Sequence, residues 1–240
     1  MLDKPIREQI IALIHRQVVP AVGCTEPMAV ALCTARATED LCRRPEHIQV
    51  LLSGNMLKNA MGVGIPGTGM IGLPIAVALG AIVGKSQYQL EVIKDLTPET
   101  LEEGKQFISD PKHIDIKLKE NISEKLYIEV TCTAGDDSAT AVIAGSHTNF
   151  VYEARNGKVL LDKRKCTGED KQEKALDLNM RTVWEFATTT PLDEIRFMLS
   201  AREYNIRAAE ESRKGNYGHC LGKTIDRPLS HGIFGDSIFS

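Results

Sequence analysis

Residues 20–41 read PAVGCTEPMAVALCTARATEDL, a segment in which two prolines precede an alanine-rich run. Pro20 ends the segment before it, and Pro27 suits the first turn of a new helix. The run from Met28 to Leu41 is rich in alanine, which favours a helix that packs closely on its neighbours. The sequence therefore predicts a buried helix that begins directly after Cys24.

The segments on either side of this helix alternate between helical and strand patterns. Apolar residues from Ile6 to Val18 recur at helical spacing and predict an amphipathic helix. Asn156-Gly157 is typical of a two-residue hairpin turn. The other predicted elements, in chain order, are a strand over 47–52, a Gly- and Asn-rich loop over 53–72, a buried helix over 73–83, a helix over 98–109, strand patterns over 113–119, 126–133 and 139–151, and helices over 176–188 and 192–213.

These elements predict an α+β fold in which a mainly helical catalytic portion carries an inserted small α/β subdomain with an antiparallel sheet. The predicted division is 1–88 for the N-terminal part of the helical domain, 89–165 for the inserted subdomain and 166–240 for a returning helical segment. Charged residues from Asp162 to Lys174 predict a linker, and the glycine-rich tail from Gly215 predicts a truncated domain.

Composition indicates a soluble protein with a small-molecule partner. The chain has 42% apolar and 25% charged residues and a formal net charge of -3. Its basic residues are spread out, so neither nucleic acid nor an anionic membrane is expected as a partner. The N-terminus lacks the pattern of a secretion signal, and a cytoplasmic location is expected. Residues 59–84 carry no charge, but their prolines and glycines favour a buried core helix over a membrane span.

The six cysteines show no pattern of a disulfide framework, and none forms a C-x-x-C pair. Cys24 follows a glycine and opens the second helix, where free amides and the helix dipole stabilise a thiolate for metal ligation or nucleophilic attack. The alternative is an inert buried cysteine. Cys33 and Cys42 are interpreted as packing residues, while Cys132 and Cys166 have no partner at ligand spacing.

The loop from Ser53 to Asn59 offers a hydroxyl, two amides and an ammonium group within one short turn. Such groups bind carboxylates or polarise a leaving group, although a polar surface turn is equally consistent with the pattern.

Two overlapping G-x-G-x-x-G patterns span residues 62–72, and residues 80–86 resemble a phosphate-binding loop. Neither has the strand, spacing or acidic residue that a nucleotide site requires. Nucleotide binding is therefore not predicted.

Three motifs together resemble a known family of enzymes: VVPAVGCTEP over Val18–Pro27, SGNMLKNA over Ser53–Ala60 and GIPGTG over Gly64–Gly69. They resemble the L-cysteine desulfidase family, which is similar to the alpha chain of iron–sulfur L-serine dehydratases. The resemblance covers essentially the whole chain. Family members are nearly twice as long, so the resemblance implies that this chain is the N-terminal half only.

The resemblance implies a [4Fe–4S] cluster held by three cysteines, with one iron open to an amino-acid substrate. L-Cysteine would give hydrogen sulfide, pyruvate and ammonia, and L-serine would give pyruvate and ammonia. Cys24 matches the first cluster ligand, and the further ligands would lie in the other half. A second chain or a homo-oligomer would then complete the enzyme.

The remaining roles are hypotheses about residues near these motifs. Lys58 and Asn59 are predicted to contact the substrate carboxylate or the leaving group, and Glu26 to cap the second helix. His219 is a predicted acid or base, ahead of Lys223 and His231. Predicted substrate-binding residues are Ser53, Asn55 and Thr68.

Two other classes of function remain open from the sequence. The chain could be an inactive fragment of such an enzyme, because its apolar end lacks a capping signal. It could also be a regulatory amino-acid-binding module that uses the compact middle section.

Overall fold

The structure is a computed structural model that describes residues 2–164, 176, 178–216 and 220. These residues form two compact units. Residues 19–164 form the larger unit, and residues 2–18 with the described residues from 176 onward form the smaller one. The described residues form both α-helices and β-sheets, which confirms the predicted α+β class.

The larger unit contains four α-helices, eight strands and one 3-10 helix among its described residues. Its helices are α2 (Thr25–Leu41), α3 (Gly54–Ala60), α4 (Leu73–Ile82) and α5 (Pro98–Ser109), with the 3-10 helix at Ser86–Glu91. Its strands are β1 (His47–Leu52), β2 (Gly64–Ile65), β3 (Met70–Ile71), β4 (Ile114–Leu118), β5 (Tyr127–Ala134), β6 (Asp137–Ala144), β7 (Phe150–Arg155) and β8 (Lys158–Asp162).

Six strands form one sheet in the order β4-β1-β5-β6-β7-β8, and β2 pairs with β3 in a separate hairpin. Strands β1 and β5 alternate between buried and partly exposed residues, as expected for a sheet that covers a core on one face. Their inward residues face each other across the pair, for example Val50 opposite Val130. Asn156 and Gly157 both have positive φ angles and join β7 to β8, which confirms the predicted hairpin turn.

Helix α2 is the centre of the larger unit. It packs on β5 and β6 and also on α4, which in turn packs on α5. Its residues from Pro27 to Ala35 are all buried. Small side chains bring α2 and α4 so close that a Cβ on Gly80 would lie 2.5 Å from the carbonyl oxygen of Ala31. The buried alanine-rich helix predicted after Cys24 is therefore confirmed, as are the helices predicted over 73–83 and 98–109.

The smaller unit is helical in its described residues. Its helices are α1 (Lys4–Gln17), α6 (Met180–Thr189), α7 (Leu192–Ile195) and α8 (Leu199–Lys214), with a 3-10 helix at Arg196–Met198 between the last two. Arg7 forms a two-pronged ion pair with Glu194, with Nε and Nη2 of Arg7 at 3.0 and 2.9 Å from the carboxylate oxygens. The ring of His15 stacks on that of Phe197.

The structure corrects several details of the predicted elements. The sheet is mixed, because β1 and β4 run parallel, and β1 comes from a segment predicted to lie outside the sheet. The predicted loop over 53–72 contains α3 and the β2–β3 hairpin. The single patterns over 139–151 and 192–213 are each divided, into β6 and β7 and into α7 and α8. The division at residues 88 and 165 stays a prediction, and most of the predicted linker and tail lies outside the described residues.

None of the helices formed by described residues combines the length and apolar character that a membrane span requires.

Candidate functional site

Cys24 lies at the N-terminus of α2, directly before the first helical residue. Gly23 precedes it with a φ of +78°, and a Cβ on Gly23 would lie 2.5 Å from Cγ of Pro66. The left-handed backbone and the close contact together require glycine here. The tip of the β2–β3 hairpin therefore packs on the turn that presents Cys24.

Glu26 connects Cys24 to helix α3. The thiol of Cys24 donates a hydrogen bond to Oε2 of Glu26, with 2.9 Å between the sulfur and the oxygen. The hydroxyl of Thr25 donates to the same oxygen at 3.2 Å, and Nδ2 of Asn59 donates to Oε1 at 3.3 Å. The Glu26 carboxylate thus accepts side-chain hydrogen bonds from three residues, which the predicted capping role did not include.

The surroundings of Cys24 favour its neutral thiol. Burial raises the pKa of Cys24, and the hydrogen bond to the Glu26 carboxylate raises it further, while the backbone amides of Glu26 and Thr25 lower it. The hydrogen bond from Cys24 is also the main reason why the pKa of Glu26 is lowered. The amides at the helix N-terminus thus favour the thiolate, as the sequence predicts, but burial and the Glu26 carboxylate outweigh them in the net shift of the pKa.

Replacing Glu26 by Gln should make Cys24 more reactive. The variant keeps the side-chain volume but removes the negative charge, so the pKa of Cys24 should fall and its thiolate fraction at about pH 8 should rise. We expect alkylation of Cys24 by iodoacetamide to be a few-fold faster, measured by mass spectrometry of the modified peptide. The exposed Cys42 is the internal control, and its rate should not change. Equal or slower alkylation of Cys24 in the variant would contradict this interpretation.

Three predicted site residues share one face of α3. Asn55, Lys58 and Asn59 are exposed and lie at helical spacings of three and four residues. Asn59 on this face bonds Glu26, which is the hydrogen-bond partner of Cys24, so one end of the face lies beside the Cys24 site. The predicted loop is helical here because Met56 and Ala60 are buried one turn apart on the opposite side.

Ser53 has a structural role. It is buried and forms the N-cap of α3, where its Oγ accepts a hydrogen bond from the amide of Met56 at 3.5 Å. The same oxygen donates to the carbonyl of Lys125 at 2.8 Å and accepts from the amide of Tyr127 at 3.4 Å. Its hydroxyl therefore ties α3 to the start of β5, whereas substrate binding by Ser53 stays a prediction.

Replacing Ser53 by Ala should destabilise the chain by about 1–2 kcal/mol, because it leaves polar backbone groups beside α3 without their partner. A loss of this size should lower the thermal midpoint by about 2–8 °C. Asn55→Ala, which changes an exposed side chain two residues away, should shift the midpoint much less. Equal midpoints for the two variants, measured by circular dichroism, would rule out the capping role.

Thr68 is buried in the turn of the β2–β3 hairpin. Its hydroxyl donates to the carbonyl of Ile65 at 2.6 Å and accepts from the amide of Met70 at 2.9 Å. These bonds fix the turn that carries Pro66, the residue in contact with Gly23. The structure thus brings the three motifs together: the hairpin packs on the Cys24 turn, and α3 bonds to Glu26.

The other described cysteines lie away from this arrangement. Cys33 and Cys132 are buried between α2 and the sheet, and burial raises the pKa of Cys132 to about 12. Cys33 is a packing residue as predicted. The same prediction for Cys42 is wrong, because Cys42 is exposed at the C-terminus of α2 with a φ of 60° and accepts a hydrogen bond from Arg155.

Within the described parts of the chain, no group of three His, Cys, Asp or Glu residues is arranged to hold a metal ion. Cys24 is therefore the single predicted ligand that the described site provides. The predictions for Cys166, His219, Lys223 and His231 lie outside the described residues.

Fold and site together define an α+β protein with a half-buried cysteine at a helix N-terminus, held by a carboxylate that a second helix orients. No protein-family model matches the chain, and no solved structure matches it.

The chain is similar over nearly its whole length to proteins named UPF0597 protein. The relative from Bacteroides fragilis is 63% identical over 234 residues, which are 98% of this chain and 54% of that protein. The relative from Phocaeicola vulgatus is 61% identical over 241 residues, covering 100% of this chain and 56% of that protein. The relative from Dichelobacter nodosus is 36% identical over 237 residues, covering 98% and 54%. The chain thus spans about half the length of the curated relatives it matches.

Proposed function

We propose that the chain is the cysteine-bearing part of an iron–sulfur lyase that degrades L-cysteine to hydrogen sulfide, pyruvate and ammonia. The observation that carries the proposal is the convergence of the three motifs on Cys24. Gly23 touches the hairpin turn at Pro66, and Asn59 bonds the carboxylate that holds the Cys24 thiol. Two segments that are remote from Cys24 in sequence thus contact residues on either side of it, Gly23 and Glu26.

The residues present fit one ligand of a [4Fe–4S] cluster. A thiol at a helix N-terminus, close to the amides of Thr25 and Glu26, is suited to become a thiolate once a metal replaces its proton. Clusters of this type use several cysteines, and the described residues place no second cysteine beside Cys24. The proposal therefore assigns the other ligands to a region such as the one that the longer relatives carry beyond the match.

When bound, the cluster supplies a Lewis acid that makes the β-substituent of the amino acid a better leaving group. Glu26 is placed to take the thiol proton that Cys24 releases, because its carboxylate already accepts the hydrogen bond from that thiol. Asn59 keeps Glu26 in this orientation, and Lys58 on the same helix face provides a positive charge for the substrate carboxylate.

The overall reaction removes the α-proton and breaks the bond from Cβ to sulfur, with sulfur leaving as hydrosulfide. The remaining aminoacrylate takes up water to give pyruvate and ammonia. L-Serine would undergo the same elimination with hydroxide as the leaving group. His219 stays a predicted acid or base for these proton transfers.

The test uses a full-length protein in which this chain replaces the matching region of the Bacteroides fragilis relative; we call it the joined protein. At 63% identity the exchanged region should keep its packing. After anaerobic reconstitution with iron and sulfide, the joined protein should release equal amounts of sulfide and pyruvate from L-cysteine. Pyruvate from L-serine alone would assign the serine reaction instead. A reconstituted protein that releases pyruvate from neither amino acid would overturn the proposal.

A further inference from the structure

The smaller unit has almost no core among its described residues. Of the apolar side chains described in this unit, only those of Ile10 and Phe186 are buried. The contacts that hold it include an ion pair between Arg7 and Glu194 and the stacked rings of His15 and Phe197. Burial of apolar surface is the main source of stability in folded proteins, so helices with so few buried apolar side chains are poorly stabilised alone.

Helix α6 presents a continuous apolar face to solvent instead. Met180, Val183, Trp184 and Ala187 recur at spacings of three and four residues, and we call them the α6 stripe. Met180 is 84% exposed and Trp184, the single tryptophan of the chain, is 71% exposed. The opposite side of the helix already packs through Phe186. A helix with this pattern normally buries its apolar face.

Apolar exposure continues beyond α6. Leu192 is 78% exposed and Leu199 is 54% exposed. Helices α7 and α8 contain no buried residue. An apolar surface that includes a tryptophan has the composition of a protein–protein interface, where tryptophan is enriched among the residues that contribute most to affinity.

We infer that the α6 stripe is the contact surface for the part of the protein that the longer relatives carry outside the match. A little under half of each relative lies outside the matched region, enough to form a partner domain of comparable size. The match covers nearly all of this chain and therefore includes the α6 stripe. The surface that covers the stripe would then lie in the unmatched part of the longer relatives. The inference shares with the proposed function the premise that this chain works together with that remainder.

The test compares reagent access to the stripe in the chain alone and in the joined protein. Ala187→Cys places a small thiol on the stripe, and Arg181→Cys is the matched control, because Arg181 is exposed on the same helix but lies off the stripe. Labelling with a maleimide is followed by mass spectrometry of the α6 peptide. The thiol of the Ala187→Cys variant should react at least about ten-fold more slowly in the joined protein than in the chain alone, since a covered thiol is shielded from the reagent. The thiol of the Arg181→Cys variant should react equally in both.

Equal labelling of the Ala187→Cys variant in the two proteins would overturn the inference. Slow labelling of this variant in the chain alone would also overturn the inference. If this protection grows with protein concentration, a second copy of the chain covers the stripe. If the protection does not depend on concentration, another segment of the same chain covers it. Labelling needs neither iron nor activity. If the thiol is protected but the joined protein binds no iron and releases no pyruvate, the proposed function alone is wrong. If the joined protein is active but the thiol on the stripe stays accessible, this inference alone is wrong.

Discussion

Replacing Gly80 by Ala is expected to destabilise the larger unit by about 2–3 kcal/mol, because overpacking a tight core costs this much. The new methyl group would lie 2.5 Å from the carbonyl oxygen of Ala31, and both atoms belong to helices that are buried against each other. Neither helix can move without opening its contacts with the sheet or with α5. The usual gain of about 0.5–1 kcal/mol for alanine over glycine in a helix is smaller than this clash.

The measurement is urea denaturation followed by circular dichroism. Gly62→Ala is the matched control, because a Cβ on Gly62 meets no atom within 4 Å. It should change the free energy of unfolding by about 0.5 kcal/mol or less. If Gly80→Ala were as stable as Gly62→Ala, α2 and α4 would not be in the close contact that places Cys24.

Replacing Gly23 by Ala is expected to damage both stability and the Cys24 site. An alanine here has an unfavourable left-handed backbone, at a cost of about 1–2 kcal/mol. Its methyl group would also lie 2.5 Å from the rigid ring of Pro66, which adds about 1–3 kcal/mol. Relief of this contact requires the hairpin to move away from the turn that presents Cys24.

Gly135→Ala separates the two effects. Gly135 has a φ of +56°, but a Cβ on it meets no atom within 4 Å, so this variant should show the backbone cost alone. The difference in thermal midpoint between the two variants measures the contact between Gly23 and Pro66. Gly23→Ala should also lower the iron content of the reconstituted joined protein, whereas Gly135→Ala should not. Identical midpoints and iron contents would contradict the packing of the hairpin on the Cys24 turn.

Local patterns in the sequence predicted much of this fold. The alanine-rich run after Cys24 predicted α2 because small side chains suit a crowded helix contact, and Gly80 opposite Ala31 shows how close that contact is. Asn156-Gly157 predicted its turn because both residues tolerate positive φ angles. Such features depend on neighbouring residues only.

Features that depend on distant residues were missed. Strand β1 joins the sheet between β4 and β5, and its parallel pairing with β4 follows from packing that no local pattern reveals. The sequence predicts a loop in place of helix α3, because the glycine and asparagines of this segment conceal the cap at Ser53 and the buried pair Met56 and Ala60.

The sequence predicted the members of the candidate site better than their contacts. Cys24 and Asn59 were both identified, but the bond of each to Glu26 was not. A carboxylate two residues after a cysteine at a helix start could have indicated this bond, because both side chains then lie at the N-terminal end of the helix. The consequence for the pKa of Cys24 could not be predicted, since burial is its main cause and burial depends on the whole fold.

We propose that the sulfur of Cys24 binds iron, and the iron content of the Cys24→Ser variant shows whether it does. The joined protein, reconstituted anaerobically, should hold about four iron atoms per chain and show the broad absorbance of a cluster. Cys42→Ser, which alters an exposed cysteine at the other end of α2, should keep both properties. Cys24→Ser should lose the absorbance and most of the iron, whereas full iron content in this variant would show that Cys24 is not a cluster ligand.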